Sequence, residues 1–485
     1  MLQLKNIEYQ QKDNKILHQI QLEIKTGEVV AFIGLSGCGK TSLARICSGL
    51  VPYFYDEASF SGEVFFDHVK LDEVTNTEFI KKVGVVSQDP KSQFFTTIVK
   101  DELAFEMENY GCNPKVIEQR IQQVSEALKL EDILNQTLAS LSSGQKQKVA
   151  IATALMTDPS LVILDEPSAN LDLVSTESLK EQIKHIKQQG KTIIIAEHRV
   201  YYLMDSVDRF IYMEDGQIVK ELTALEMTQL SNAQRAKMGI RHTDLSEIEN
   251  ERKNQSDFSQ TINVRDVQAS VKRKKILQSV SYQHRAGEVL ALIGKNGAGK
   301  TSLAKALSGL THISSGEILL ESQLLRKRDL KKSVWMVMQE SIYQVFGDDL
   351  LTELAIGKRN VDQVQIEKIL KKMGLWAFRN QHPYNLSGGQ RQRLVLAIGL
   401  IQQREILILD EPTSGLDGKN LTIIAHFLKE LSREGKHILM ITHDPEIILK
   451  SCDRILLLEG GKISQDKKIS ELATSEVLKL LSFQE

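Results

Sequence analysis

Short apolar runs rich in β-branched residues recur along this chain. Residues 28–33 read EVVAFI, 161–164 read LVIL and 192–196 read TIIIA; later come 288–293 (EVLALI), 406–409 (ILIL) and 437–441 (HILMI). Runs this short and without alternation predict strands buried on both faces, as in a parallel sheet, with helical stretches between them. An amphipathic strand pair is predicted ahead of each first run, at 2–9 with 16–24 and at 262–271 with 276–282.

The pattern repeats because the chain repeats. Residues 34–41 read GLSGCGKT and 294–301 read GKNGAGKT, an offset of 260, and both are followed by SLA and then SGL. Residues 161–167 (LVILDEP) and 406–412 (ILILDEP) are offset by 245, as are His198 and His443. The second copy is therefore the same unit with about fifteen residues removed, some of them between Gly49 and Gly62. Two mixed α/β domains are expected, at 1–230 and 261–485. The polar stretch 231–260 between them shows no sustained apolar period and reads as a linker or partly ordered extension. A flexible chain of about 30 residues spans roughly 30 Å, enough to let the two domains face each other.

Composition narrows the function. The chain has 485 residues, 41% apolar and 26% charged, as soluble globular proteins do. A net charge of −2 offers no global basic field, so no nucleic-acid partner is expected. The four cysteines, Cys38, Cys47, Cys112 and Cys452, form no CxxC pair. That excludes a zinc ribbon and a disulfide scaffold and fits a reducing cytoplasm. No run approaches the roughly 20 apolar residues of a spanning helix, and the N-terminus lacks the apolar stretch of a signal peptide. Service to a membrane is expected only from its surface, through a partner.

The repeated G-x-x-x-x-G-K-[ST] segments lie between an apolar strand and a helix, the setting this motif needs. Average composition yields on the order of 0.02 matches in a chain this long, so two in matching positions are not accidents. Glycines let backbone N–H groups wrap phosphates, and the helix N-terminus adds positive potential. The phosphate cradles are thus Gly34, Leu35, Ser36, Gly37, Cys38 and Gly39, and Gly294, Lys295, Asn296, Gly297, Ala298 and Gly299. Lys40 and Lys300 are expected to reach the β/γ-phosphates of a bound nucleotide, and Thr41 and Thr301 to ligate Mg²⁺. Each LDE segment ends a strand in two carboxylates. Asp165 and Asp410 are placed to hold Mg²⁺, and Glu166 and Glu411 to orient or deprotonate the attacking water. Cys38, between backbone amides at a helix N-terminus and next to Lys40, is expected to have a lowered pKa and a reactive thiolate.

Residues 141–145 read LSSGQ and 386–390 read LSGGQ, each 20 residues upstream of its LDE segment and followed by a basic helical stretch. With these, nearly the whole chain outside 231–260 resembles the ATP-binding-cassette (ABC) ATPases, carrying the motif set twice. The resemblance implies two tandem P-loop domains, each a mixed-sheet RecA-like core with an antiparallel β subdomain and a helical subdomain. It adds Gln88 and Gln339 as Q-loop residues near Mg²⁺ and water, loops 168–172 and 413–417 as D-loops, and His198 and His443 as switch histidines. It further implies a head-to-tail sandwich within the chain. Ser387 would complete the site of Lys40, Gln88, Asp165, Glu166 and His198; Ser142 would complete that of Lys300, Gln339, Asp410, Glu411 and His443. Ser143 replaces the glycine at 388, which puts a Cβ where backbone approaches phosphate. The family's adenine-stacking aromatic falls at Gln11 and Val271, with Tyr9 nearby in the first copy.

A finer pattern follows each Q-loop: Gln93-Phe94-Phe95 and Gln344-Val345-Phe346, then Glu102-Leu103-Ala104 and Glu353-Leu354-Ala355. This pattern, with the AEHR wording at 196–199, is similar to the ATPases of energy-coupling-factor (ECF) transporters, importers of vitamins and transition-metal ions. The implied function is an ATP-hydrolysing motor on the cytoplasmic face of the cell membrane. Its partners would be integral transporter subunits and a separate substrate-binding membrane subunit. Phe94, Phe95 and Phe346 are expected at the partner contact. A tandem cassette for sugar or nucleoside import, or an ABC-F-like ribosome-associated ATPase, are the alternatives. Nothing in the sequence names the cargo.

Overall fold

The computed structural model describes residues 1–11, 14–51, 58–73, 75–250, 258–271, 274–339, 341–357 and 362–483. The chain divides into two compact units, Met1–Thr243 with Asp417–Lys419, and Asp244–Leu416 with Asn420–Glu485. No helix among the described residues is long and apolar enough to cross a membrane.

In the first unit β1 (Leu2–Gln11) and β2 (Asn14–Ile24) form the expected pair, and β4 (Ala58–Phe66) and β5 (Val69–Lys70) extend it to a sheet of order β2-β1-β4-β5. A second sheet holds β3 (Val29–Gly34), β6 (Val83–Val86), β7 (Leu161–Asp165), β8 (Thr192–Ala196), β9 (Arg209–Glu214) and β10 (Gln217–Leu222). Its order is β10-β9-β3-β8-β7-β6, parallel except where β10 meets β9. The residues of β3 and β8 are buried throughout, which is why these runs are apolar on both faces. One core lies between the two sheets; another lies between the parallel sheet and the helices Val99–Asn109, Pro114–Leu128 and Ser143–Leu155. The helix Pro114–Leu128 shows how locally this is encoded. Asn113 caps it, Pro114 opens it, and Ile117, Ile121, Val124 and Leu128 make one buried stripe.

The second unit repeats the plan. β11 (Thr261–Val271), β12 (Lys274–Arg285), β14 (Ser315–Leu320) and β15 (Gln323–Leu324) form the antiparallel sheet. β13 (Val289–Ile293), β16 (Val334–Val337), β17 (Ile406–Asp410), β18 (His437–Ile441), β19 (Arg454–Glu459) and β20 (Lys462–Lys468) form the mixed one. The fold is thus two tandem cassettes of the expected class. Within the stretch read as a linker, Asn232–Met238 is helical under a Ser231–Gln234 capping box, and a short 3-10 turn spans Leu245–Glu247. Residues 251–257 of that stretch, and part of the length difference after Gly49, lie outside the described residues.

Candidate active sites

Parallel order decides where the chemistry gathers. β6, β7, β8 and β3 all run the same way, with Val86 beside Leu164, Asp165 beside Ala196 and Ala196 beside Phe32. The chain therefore leaves Gln88, Asp165–Glu166, His198 and the phosphate loop from one sheet edge, the carboxyl ends where ligands of open α/β sheets bind.

The loop closes tightly. Gly34 has φ 145°, and a Cβ there would lie 2.2 Å from the Met213 carbonyl oxygen. Gly294 repeats this, φ 152° and 2.3 Å from Leu458 O. At Gly37 and Gly297 a Cβ would meet nothing within 4 Å, so these two positions face open space. Lys40 Nζ donates to the carbonyls of Gly34 and Leu35, both at 3.0 Å, and Lys300 Nζ to Gly294 O at 2.5 Å and Lys295 O at 3.3 Å. Both lysines are buried, and each sits over the loop it is expected to serve.

Thr41 Oγ donates to Asp165 Oδ1 at 3.0 Å, and Thr301 Oγ to Asp410 Oδ2 at 3.0 Å. Burial pushes Asp165 up to about 6, helped by the neighbouring Glu166 charge and opposed by Thr41 and Lys40. Burial likewise raises Asp410. These carboxylates stand where a cation is needed. One carboxylate and one hydroxyl per site suit Mg²⁺, which takes few protein ligands and completes its shell with phosphate and water. Among the described residues no cluster of three His, Cys, Asp or Glu side chains offers a metal site of another kind.

Both candidate bases hold a left-handed backbone, Glu166 at φ 45° and Glu411 at φ 48°. Glu166 N bonds Ala196 O at 2.8 Å and Glu411 N bonds Ile441 O at 2.9 Å, so the adjoining strand end fixes this turn. Such conformations persist only where surroundings enforce them. The Glu166 carboxylate meets His198 Nε2 at 3.4 Å and accepts from Gln88 Nε2 at 2.5 Å. Burial would raise its pKa, but the His198 hydrogen bond and charge, with Lys40, hold it below the ordinary value. In the second cassette Glu411 and His443 Nε2 are 3.8 Å apart. Gln339 is exposed at the equivalent loop.

Ser142 and Ser387 head the helices Ser143–Leu155 and Gly388–Ile401 in reciprocal capping boxes with Gln145 and Gln390. The motif's Ser and Gln thus fix the helix start. Gly144 is the sterically required glycine, since a Cβ would lie 2.3 Å from Ser175 Oγ; at Gly388 it would meet nothing within 4 Å. Ser143 therefore fits its own cassette.

One expectation, the reactive Cys38, is corrected. Cys38 is 5% exposed and its pKa is raised, because burial outweighs the opposing Lys40 charge and hydrogen bonds. Phe94 packs partly buried against the core, whereas Phe95 and Phe346 are 74% and 78% exposed. Tyr9 belongs to the core between the sheets, which removes its ring as an adenine platform. Gln11 is exposed, and the Val271 side chain lies outside the described residues.

Four supporting residues were missed as individuals although their motifs were visible. Gln93 Oε1 accepts from Ser87 N and Oγ at 2.8 and 2.6 Å, and Gln344 Oε1 accepts from Met338 N at 2.7 Å. Buried Glu102 accepts from Phe95 N and Thr96 N at 3.0 and 2.8 Å; buried Glu353 accepts from Phe346 N and Gly347 N at 2.7 and 2.5 Å. The repeated Gln and Glu were the signal.

A phosphate loop and a strand-end carboxylate pair, each present twice on a RecA-like sheet, define a P-loop ATPase with two cassettes. The ABC transporter family profile matches residues 17–169 and 277–414, and the chain belongs to that family. Domains of this family bind ATP, generally with Mg²⁺. The chain is 38% identical over 474 residues to a Treponema denticola protein provisionally named an ABC transporter ATP-binding protein, covering 96% of this chain and 97% of that one. It is 30% identical over 499 residues to YkoD of Bacillus subtilis strain 168, provisionally named an HMP/thiamine import ATP-binding protein, covering 96% and 91%. The solved structure of RNase-L Inhibitor superposes with a TM-score of 0.65 at 20% identity, covering 98% and 93%, a likeness of fold alone.

Proposed function

We propose that this chain is the peripheral motor of an ECF-type importer, on the cytoplasmic face of the membrane. It would dock on integral transporter subunits, with a separate membrane subunit binding a vitamin- or metal-ion-class substrate. The observation carrying this reading is the loop after each Q-loop glutamine. In both cassettes a buried glutamate ties down two backbone N–H groups and a glutamine braces the strand end, so Phe95 and Phe346 stand outward on a fixed loop. Phe95 also stacks on Phe105, with centroids 5.0 Å apart and planes at 12°. An exposed aromatic on a rigid support is a built anchor for a partner. The likeness to a chain provisionally named for HMP/thiamine import supports the importer class.

In the hydrolytic reading, the loop amides with Lys40 or Lys300 bind the phosphates. Thr41, Asp165 and Gln88, or Thr301, Asp410 and Gln339, would hold Mg²⁺, which neutralises charge on the β/γ oxygens. Glu166 keeps a deprotonated carboxylate between Gln88 and His198, placed to take a proton from water. Ser387 and Ser142, each with a helix N-terminus, would grip the γ-phosphate of the opposite cassette. Closure could then move a partner only if ATP binds the closed state much more tightly than the open one.

Phe95→Ala and Phe346→Ala test the docking reading. Each is expected to weaken recovery with membranes at least ~30-fold, as for a buried anchor worth about 2 kcal/mol, while ATP binding stays intact. Unchanged membrane recovery of the double variant would refute the placement. Recovery with ribosomes instead of an integral membrane partner would replace the importer reading altogether.

A further inference from the structure

We propose that Glu197 and Arg199 are positioning residues of the first hydrolytic site, joining the loop of His198 to loop 168–172. Both are buried, at 1% and 8% exposure. Glu197 Oε1 accepts from His198 N at 2.7 Å and Arg199 N at 3.0 Å. Its Oε2 accepts from Tyr202 OH at 2.9 Å and Ser168 N at 3.3 Å. Arg199 Nη1 donates to the carbonyls of Ser168 at 3.3 Å and Leu171 at 3.1 Å. One carboxylate thus receives four donors, and the guanidinium spans two carbonyls of the facing loop. A buried charge network fully supplied with partners is rigid, because losing any one partner strands the others.

The brace acts through Glu166. Its N–H is held by Ala196 O and its carbonyl accepts from Ala169 N at 3.1 Å, so the glutamate is tied to both loops that the brace joins. Moving loop 168–172 without the brace would turn Glu166 away from His198; with it, the two loops move as one. The second cassette is built otherwise. Thr442 and Asp444 occupy the matching positions. Thr442 Oγ accepts from Asp444 N at 3.1 Å, and Asp444 caps the helix Pro445–Ser451 by accepting from Glu446 N at 3.1 Å. An aspartate carries no guanidinium, so it cannot span two carbonyls as Arg199 does. The brace therefore belongs to the first site.

This rests on reading Glu166 and Glu411 as the hydrolytic bases, and the test separates the two ideas. Single-turnover hydrolysis of bound Mg-ATP is followed in the full chain carrying Glu411→Gln, which isolates the first site, and in the chain carrying Glu166→Gln, which isolates the second. Arg199→Ala is expected to slow the first-site rate constant about tenfold, the scale of one lost charged hydrogen-bond pair, with half-saturating ATP unchanged. Arg199→Lys should recover part of that loss. In the Glu166→Gln chain Arg199→Ala should shift the rate less than about twofold. Tyr202→Phe, which removes one donor to Glu197 and leaves the ring, should slow the first site about threefold and guards against a misfolded Arg199→Ala. Equal slowing in both backgrounds, a parallel rise in half-saturating ATP, or no slowing with either variant overturns the brace. If the two parent glutamine variants hydrolyse at the native rate, the hydrolytic assignment itself falls, and the brace with it.

Discussion

The two cassettes copy their sheets and the contacts of their candidate sites but not what supports them. Thr–Asp contacts of 3.0 Å and left-handed glutamates recur in both. Flanking His198 and His443, however, stand Glu197 and Arg199 in one and Thr442 and Asp444 in the other. At the opposite end of the parallel strands the first cassette has Ile24 and Thr192, the latter accepting from Gly27 N at 3.0 Å; the second has His284 and His437. Groups proposed to meet the same nucleotide in both cassettes would be constrained alike. Buried supports only have to satisfy each other, so each copy can find its own solution.

The sharpest way to break the symmetry of the reacting groups is to remove the bases singly. Glu166→Gln and Glu411→Gln should each lower steady-state ATPase activity, and the double variant should lose ~10²–10⁴-fold while still binding nucleotide. If either single variant keeps full activity, that cassette is not turning over ATP, and the likeness of the two sites is one of geometry alone.

That symmetry was legible in the sequence because its elements are local. Strand runs such as 192–196 appear in the fold with the expected bounds, and motif order alone places Gln88, Asp165 and His198 on neighbouring strand ends. What could not be read depends on distant packing. Cys38 looked activated from its neighbours Gly39 and Lys40, yet its burial is imposed by strands far along the chain. Phe94 and Phe95 are adjacent letters whose fates differ because the loop held by Glu102 turns one inward and the other out. The helix Asn232–Met238 was hidden because seven residues are too few to show an apolar period; its capping box was the available sign.

A smaller effect should separate the supports by pH. His284 and His437 lie edge to face with ring centroids 5.1 Å apart, both buried in the second cassette. Burial lowers His284 to about 3, reinforced by the charge His437 would carry and by Arg454; burial lowers His437 to about 4. Glu288, whose backbone carbonyl bonds His284 Nε2 at 2.9 Å, has its carboxylate paired with Arg454 at 2.8 Å. The unfolded chain takes up these protons below pH about 6.5 while the folded cassette refuses them. Stability is therefore full above that value and falls with acidification, by about 2 kcal/mol per histidine at pH 5. Hydrogen exchange on the full chain should show the second cassette losing protection from pH 7.5 to 5 more steeply than the first. His284→Ile with His437→Thr, the first cassette's residues, should flatten the difference. Equal loss in both cassettes, untouched by that double change, would exclude the histidine pair as its source.

The smallest expected effect concerns the phosphate loops, which differ in Cys38 against Ala298. Cys38, Cys47 and Cys452 are all buried, and burial raises the thiols of Cys38 and Cys47. A raised pKa leaves less thiolate, the species that attacks maleimide, and burial blocks the reagent as well. Cys112 is only half-buried, on an open cavity of about 390 Å³ that Met107, Tyr110 and Val116 also line. Labelling of the native chain, read by peptide mapping, should therefore reach Cys112 first and spare Cys38. ATPase activity should survive that first modification, because Cys112 stands away from the sheet edge where the phosphate loop, Asp165 and His198 gather. Mg-ATP should not slow it. Faster reaction at Cys38, protected by nucleotide, would mean that the first phosphate loop opens to solvent in a way its copy at Ala298 cannot report. The two loops would then differ in motion as well as in one side chain.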